Sequence, residues 1–339
     1  MSVDLTAFLD AVPEHAVEAV RAARHALVAT HENPDADTIG AALAVGLLVA
    51  HHGGRATLVC SDPIPPLYAF LPGVEQFRTD PDGRAAYDRL VVCDCGTLDR
   101  IGPLRDRHRS LFERLPRLVI DHHLSNGGSG AGDWIDPAAA ATCEMVTLLA
   151  ARMGVPLEAA GGALATALMA GIVMDTATFA HPNATPRTLA VSAALVAAGA
   201  PLSDISRRLY RTKPDAQLRL FGRVLDRLET ALEGRIIWST ILEADLTATR
   251  ADPAHSEGLI DLLAQSERAE IAIIFKEVGA ATRISVRTKD GGVDATALTG
   301  RFGGGGHARA AGATIALPVA EARPVVLAEA EPLVAALGR

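Results

Sequence analysis

A parallel, doubly wound α/β sheet followed by a second, smaller α/β domain is the fold this sequence predicts. Three observations lead there. Short apolar runs alternate with helical stretches through the first half of the chain. Several of those runs stop abruptly at Asp or His. A basic amphipathic stretch then separates this half from a region with a different strand and helix rhythm. Strands alternating with helices imply parallel pairing with both sheet faces covered. At 339 residues the chain has room for two domains, each with its own core.

The expected strands of the first half are His25–Thr30, Arg55–Cys60, Arg89–Cys93 and Arg117–Ile120. They are short and apolar almost throughout, as strands buried on both faces should be. Helical patterns cover Thr38–Ala50, Ala139–Met153, Leu157–Met174 and Pro186–Ala198. The first domain is therefore placed at 1–198. A helical linker is expected over 199–229, where Arg207, Arg208, Arg211, Lys213, Arg219, Arg223 and Arg227 cluster and Pro214 interrupts the helix. The second domain, 230–339, carries expected strands near Arg235–Ile241, Ile271–Lys276 and Arg283–Arg287. Helices near Ser256–Gln265 and Asp294–Thr299 separate them.

Composition removes several function classes. With 32 basic and 40 acidic residues the formal charge is -8, which argues against coating long nucleic acid by bulk positive potential. Aromatic residues make up 4%, too few for an extended base-stacking platform. Cys60, Cys93, Cys95 and Cys143 form no C-x-x-C pair and read as reduced, buried thiols of a cytoplasmic protein. The start, MSVDLTAFLD, lacks the basic and apolar regions of a signal peptide. The longest apolar runs, Ala41–Ala50 and Gly161–Met174, fall short of the roughly 20 residues of a membrane span. A soluble protein without membrane association is expected.

The chemistry concentrates where apolar elements end. The segment His31-Glu-Asn-Pro-Asp-Ala-Asp-Thr-Ile-Gly40 brings His31, Asp35 and Asp37 to the junction of the first strand and first helix. Only one of the two aspartates can cap that helix; the plain alternative has Asp37 as the cap and Asp35 solvated. Asp94 follows the strand Leu90–Cys93, Asp121-His122-His123 follows Leu118–Ile120, and Asp175 ends the stretch Gly171–Met174. In a doubly wound sheet the ligand lies beyond the carboxyl ends of the strands. Unpaired carboxylates gathered there would repel one another unless cations offset them. Carboxylates mixed with imidazoles suit Mn2+ or Mg2+, with Co2+ among the alternatives. At least five ligands is too many for one open catalytic ion, whereas two ions about 3.5–4 Å apart accommodate them.

In content and order these motifs resemble those of the DHH phosphoesterase superfamily, and the likeness spans nearly the whole chain. Ala36 and Ala41 stand where relatives often have glycine and serine; both are small, so the ligand geometry is expected to survive. The resemblance implies His31 and Asp35 on one ion and Asp37, His122 and Asp175 on the other, with Asp94 bridging. Asp94 and His123 are then the catalytic pair, His123 lying near the scissile phosphate, and Asp121 orients a histidine.

In the second domain, Gly303–Gly306 followed by His307 and Arg309 is similar to the signature of a DHHA1-type domain. Consecutive glycines let backbone N–H groups approach an anion. Arg283, Ser285 and Arg287 alternate on an expected strand and so share one face, where two guanidinium groups and a hydroxyl suit a phosphate. Expected substrate-binding residues are therefore Arg283, Ser285, Arg287, Gly305, Gly306 and His307. Single-strand exonucleases of the superfamily carry extra modules for which this chain has little room. Family II pyrophosphatases end in a lysine- and arginine-rich signature that it lacks.

What remains resembles the compact oligoribonuclease and 3'-phosphoadenosine-5'-phosphate (pAp) phosphatases, the nano-RNases. That likeness implies a two-metal hydrolase releasing mononucleotides from one end of short RNA and converting pAp to AMP, in a homodimer. A phosphodiesterase for cyclic or linear dinucleotides is the alternative.

Overall fold

The computed structural model describes residues 3–123, 126, 130, 132–289 and 291–338. The chain divides into two units that meet between Thr212 and Lys213. In the first, five parallel strands form one sheet: β1 (His25–Ala29), β2 (Arg55–Val59), β3 (Arg89–Cys93), β4 (Arg117–Asp121) and β5 (Trp134–Ile135). Their order is β2-β1-β3-β4-β5. Helices α1 (Glu14–Arg21), α2 (Ala36–His51), α3 (Pro103–Arg107), α4 (Arg109–Arg114), α5 (Thr142–Arg152), α6 (Ala163–Asp175), α7 (Pro186–Ala197) and α8 (Leu202–Ser206) surround it.

The strands are apolar because each face is covered. Val28, Val91 and Ile120 join a core with α2, α5 and α6. Leu27, Val92 and Val119, one residue along and so on the opposite face, pack with Leu104 and Phe112 from α3 and α4. Helices α2 and α6 are buried on nearly all sides, since they touch the sheet and each other. The expected helix from Leu157 instead begins at Ala163. Gly161 and Gly162 adopt φ of +67° and +87°, a left-handed step that a continuous helix cannot contain.

The second unit has six strands: β6 (Glu229–Ala231), β7 (Ile236–Ile241), β8 (Ile271–Val278), β9 (Ala281–Thr288), β10 (Gly305–His307) and β11 (Ala310–Ile315). Their order is β10-β11-β9-β8-β7-β6, with β7 and β8 parallel and the other pairs antiparallel. Its helices are α9 (Asp215–Asp226), α10 (Glu243–Thr249), α11 (Leu259–Ala264), α12 (Ala295–Thr299) and α13 (Val319–Ala335).

The linker expected over 199–229 is not a separate element. Ile205 and Leu209 belong to the core of the first unit, and Leu220 and Val224 of α9 to that of the second. The break falls just before Pro214, which cannot continue a helix from the first unit. No single helix among the described residues is long and apolar enough to cross a membrane.

Candidate metal centre

Strand β1 leads through α2 to β2 on one side of the first sheet, while β3 lies on its other side. The order reverses between β1 and β3, the point at which doubly wound sheets bind ligands in a crevice beyond the carboxyl ends of the strands. His31 and Asp35 follow β1, Asp94 follows β3, and His122 follows β4.

Each side chain is held from behind. Asp35, not Asp37, caps α2: its Oδ1 accepts from the Asp37 and Thr38 N–H groups at 3.0 and 3.1 Å. Its Oδ2 lies 3.8 Å from His31 Nε2. Asp37 is thereby released from capping and, fully buried, faces the start of α5. There the N–H groups of Thr142 and Cys143 donate to its two oxygens at 2.7 and 2.8 Å. Helix N-termini favour such a carboxylate.

His31 Nδ1 sits 2.6 Å from the Glu32 carbonyl and His122 Nδ1 3.3 Å from that of Ala139. Both rings therefore keep Nε2 for the crevice. Asp94 has φ of +57°, a conformation aspartate tolerates better than most side chains. Thr142 Oγ1 donates to its Oδ1 at 3.0 Å.

Asp94 is the hub. Its Oδ2 lies 3.6 Å from His31 Nε2 and its Oδ1 3.6 Å from His122 Nε2. Two groupings with ligand atoms all within 4.8 Å meet at it or beside it, one of His31, Asp35 and Asp94, the other of Asp37, His122 and Asp175. A third combines Asp94 with His122 and His123, but there His123 Nδ1 is engaged by Asp121 Oδ1 at 2.8 Å. Asp121 also accepts from Asn126 Nδ2 at 2.7 Å. This donor set of carboxylates and imidazole Nε2 atoms fits divalent cations.

The electrostatics agree with a cation site. Burial, Asp175 and Asp94 push the Asp37 carboxyl well above its ordinary range. Burial opposes charge on His122, yet Asp175, Asp37 and Asp94 raise its pKa to about 10. Asp175 lies 3.0 Å from that ring, but burial, with Asp94 and Asp35, still pushes it up to about 6. Both partners rise because each also answers to the crowd of carboxylates.

In the metal-free protein Asp175 ionises near 4 in the unfolded chain and near 6 when folded, so the folded state binds the extra proton between those values. Stability should fall as pH rises from about 4 to 6; the His122 contribution is lost only toward pH 10. Melting curves of metal-free Asp175→Asn should be flatter than wild type across pH 4–6, and an equal slope would contradict the placement of this carboxylate.

In the second unit, Arg283, Ser285 and Arg287 alternate along β9. Ser285 pairs with Gly312 of β11, which pairs with Gly305 of β10, and Arg287, Ala310 and His307 form the adjacent row. The glycine run is therefore an edge strand with His307 exposed. Position 306 requires glycine on two counts: its φ is +142°, and a Cβ there would lie 2.5 Å from the Ala310 carbonyl oxygen. Arg287 Nε is bonded to Asp261 at 2.7 Å, so a phosphate at Arg287 must compete with that carboxylate. Arg309 is tied to Thr288 and to the carbonyls of Lys289 and Val293, where it holds a loop together.

Sequence reasoning missed Thr142 and Cys143, whose N–H groups matter through backbone position, and Asn126, which steadies Asp121. An amide three residues beyond His123, or a threonine 19 residues beyond it, carries little signal of its own.

The DHH family N-terminal domain matches residues 25–172, and the DHHA1 domain matches 236–336. A bifunctional oligoribonuclease and PAP phosphatase NrnA of Thermus thermophilus is 30% identical over 85% of this chain and 83% of its own length. The chain belongs to the DHH family. The NrnA of Bacillus subtilis is 25% identical over 84% of this chain and 87% of its own. An exopolyphosphatase-related protein from Bacteroides fragilis shares the fold, with a TM-score of 0.86 over 96% of this chain and 97% of its own at 21% identity. The DHH match ends at Ile172, short of Asp175, which the structure nonetheless brings to the cluster.

Proposed function

We propose that the chain is a metal-dependent phosphoesterase that releases mononucleotides from short oligoribonucleotides and dephosphorylates pAp to AMP. The observation that carries this reading is the position of Asp94, 3.6 Å from both His31 and His122, where one carboxylate can serve two cations. His31 and Asp35 would hold one ion, Asp37, His122 and Asp175 the other, and Asp94 both. When bound, such ions supply Lewis acidity to the phosphoryl group and to the attacking water. The activities named for the two NrnA relatives supply the substrates of the proposal.

The protein's own residues do the rest. Asp121 fixes the His123 ring through Nδ1 and raises its pKa, against burial and aided by Asp94. A protonated His123 can hydrogen-bond a phosphoryl oxygen as charge builds on it. In the second unit Arg287, Ser285, Arg283, Gly305, Gly306 and His307 would hold the substrate's phosphate and nucleotide. Mn2+ as the resident ion, a homodimer and a cytoplasmic location complete the reading; the mixed carboxylate and imidazole set supports the first, and four buried free cysteines the last.

One turnover panel tests it: pAp, RNA of two to five residues, long RNA and linear di-AMP, each with Mn2+, Mg2+ or chelator. Mononucleotides should appear from pAp and the short RNAs, with chelator abolishing turnover. Equal or faster cutting of long RNA would contradict the proposed preference, and preference for linear di-AMP would move the protein to dinucleotide hydrolysis.

A further inference from the structure

Helix α6 ends at Asp175, and the last carbonyls of a helix lack partners within it. Helices often resolve this with a glycine just past the end. Here the chain continues Thr176-Ala177-Thr178-Phe179, and the last three take φ of +47°, +59° and +63° without a glycine among them. Such a left-handed run is unfavourable for L-residues and persists only where its surroundings hold it. Phe179 N–H donates to Thr176 Oγ1 at 3.0 Å, and Thr178 Oγ1 meets Ser206 Oγ at 3.1 Å.

The Ala177 and Thr178 N–H groups donate to the Met174 and Val173 carbonyls, and side chains from two later segments add further donors. Tyr210 Oη donates to the Met174 carbonyl at 2.7 Å. It projects from the π-helical turn Arg207–Arg211, a rare geometry that occurs frequently at functional sites. Asn183 Nδ2 donates to the Asp175 carbonyl at 3.2 Å and to the Ala140 carbonyl at 3.1 Å. His181 Nδ1 lies 3.2 Å from the same Asp175 carbonyl. With two carbonyls to serve, the amide must present its NH2 to them, which leaves Asn183 Oδ1 buried without a hydrogen-bond partner. Ala140 adjoins Ala139, whose carbonyl orients His122. One amide thus ties the backbone of Asp175 to the backbone that aims His122, and these are the two side chains 3.0 Å apart.

We propose that Asn183 and Tyr210 are positioning residues that fix Asp175 and His122 for the cation of that half-site. This rests on the metal-centre reading. Removing groups that orient ligands costs about 10- to 100-fold in metal affinity.

The test is calorimetric titration of chelator-treated full-length protein with Mn2+, alongside melting of the metal-free forms and steady-state turnover of pAp. Wild type should take up two ions per chain. Asn183→Ala should weaken one of them by about 10- to 100-fold and leave the other unchanged, with kcat reduced and KM nearly constant. Tyr210→Phe keeps the ring and loses one hydrogen bond, so about a fivefold weakening of the same ion is expected, with metal-free melting unchanged. It decides the matter if Asn183→Ala fails to fold. Both ions bound with wild-type affinity in the folded variants would overturn the proposal, as would equal weakening of the two sites. Two ions bound by a wild type that hydrolyses none of the nucleotides would sink the functional reading alone, and no uptake by wild type would sink both.

Discussion

Asp94→Asn is expected to lower kcat by on the order of a thousandfold or more while the fold survives. Asparagine tolerates the φ of +57° at this position, and its carbonyl can still accept from Thr142 Oγ1. What disappears is the one negative charge that faces both His31 and His122. In the metal-free protein the same change relieves repulsion on Asp35, Asp37 and Asp175, all of which feel Asp94, and gives up the attraction of His31, His122 and His123 that holds the Asp94 carboxyl below its ordinary range against burial. Activity retained within tenfold of wild type would remove Asp94 from the centre of the site.

Gly171→Ala is expected to be nearly as damaging, though the residue carries no chemistry. A Cβ at Gly171 would lie 2.4 Å from both Asp37 Oδ1 and Cys143 Sγ, so Asp37 must move off the Thr142 and Cys143 N–H groups. Overpacking of this kind costs about 1–3 kcal/mol, and a displacement near 1 Å costs about 100-fold in rate. Activity and Mn2+ affinity should fall together. Gly222 in α9 has open space around it, so Gly222→Ala should be neutral or stabilise by up to about 1 kcal/mol. Wild-type activity in Gly171→Ala would show that this helix contact does not set the ligand geometry.

The parts of the fold legible in the sequence were those with a local signal. Apolar runs ending in Asp94, Asp121-His122 and Asp175 read directly, because a buried strand or helix that stops at a carboxylate has few structural reasons to do so. The role of Asp37 was only half legible. That it binds the start of α5 depends on residues more than 100 positions away, and capping by Asp35 frees it. Helix α13 stayed hidden because Pro324 and Pro332 lie inside it, at positions where packing of Val326, Ala330 and Val334 overrides local preference. Strand β10 was not among the expected strands because it is mostly glycine; its pairing with β11 supplies the order its sequence lacks. Across the expected linker one basic amphipathic pattern covers two stretches that pack on different cores, so the sequence there carries no sharp boundary.

In the proposed centre His31, Asp35, Asp37, Asp94, His122 and Asp175 enclose two divalent cations. Anomalous scattering from crystals of the full chain grown with Mn2+ tests it most directly. Two Mn2+ peaks per chain are expected beyond the carboxyl ends of β1 and β3, both within ligand distance of Asp94. A single peak, or two that do not share that carboxylate, would contradict it.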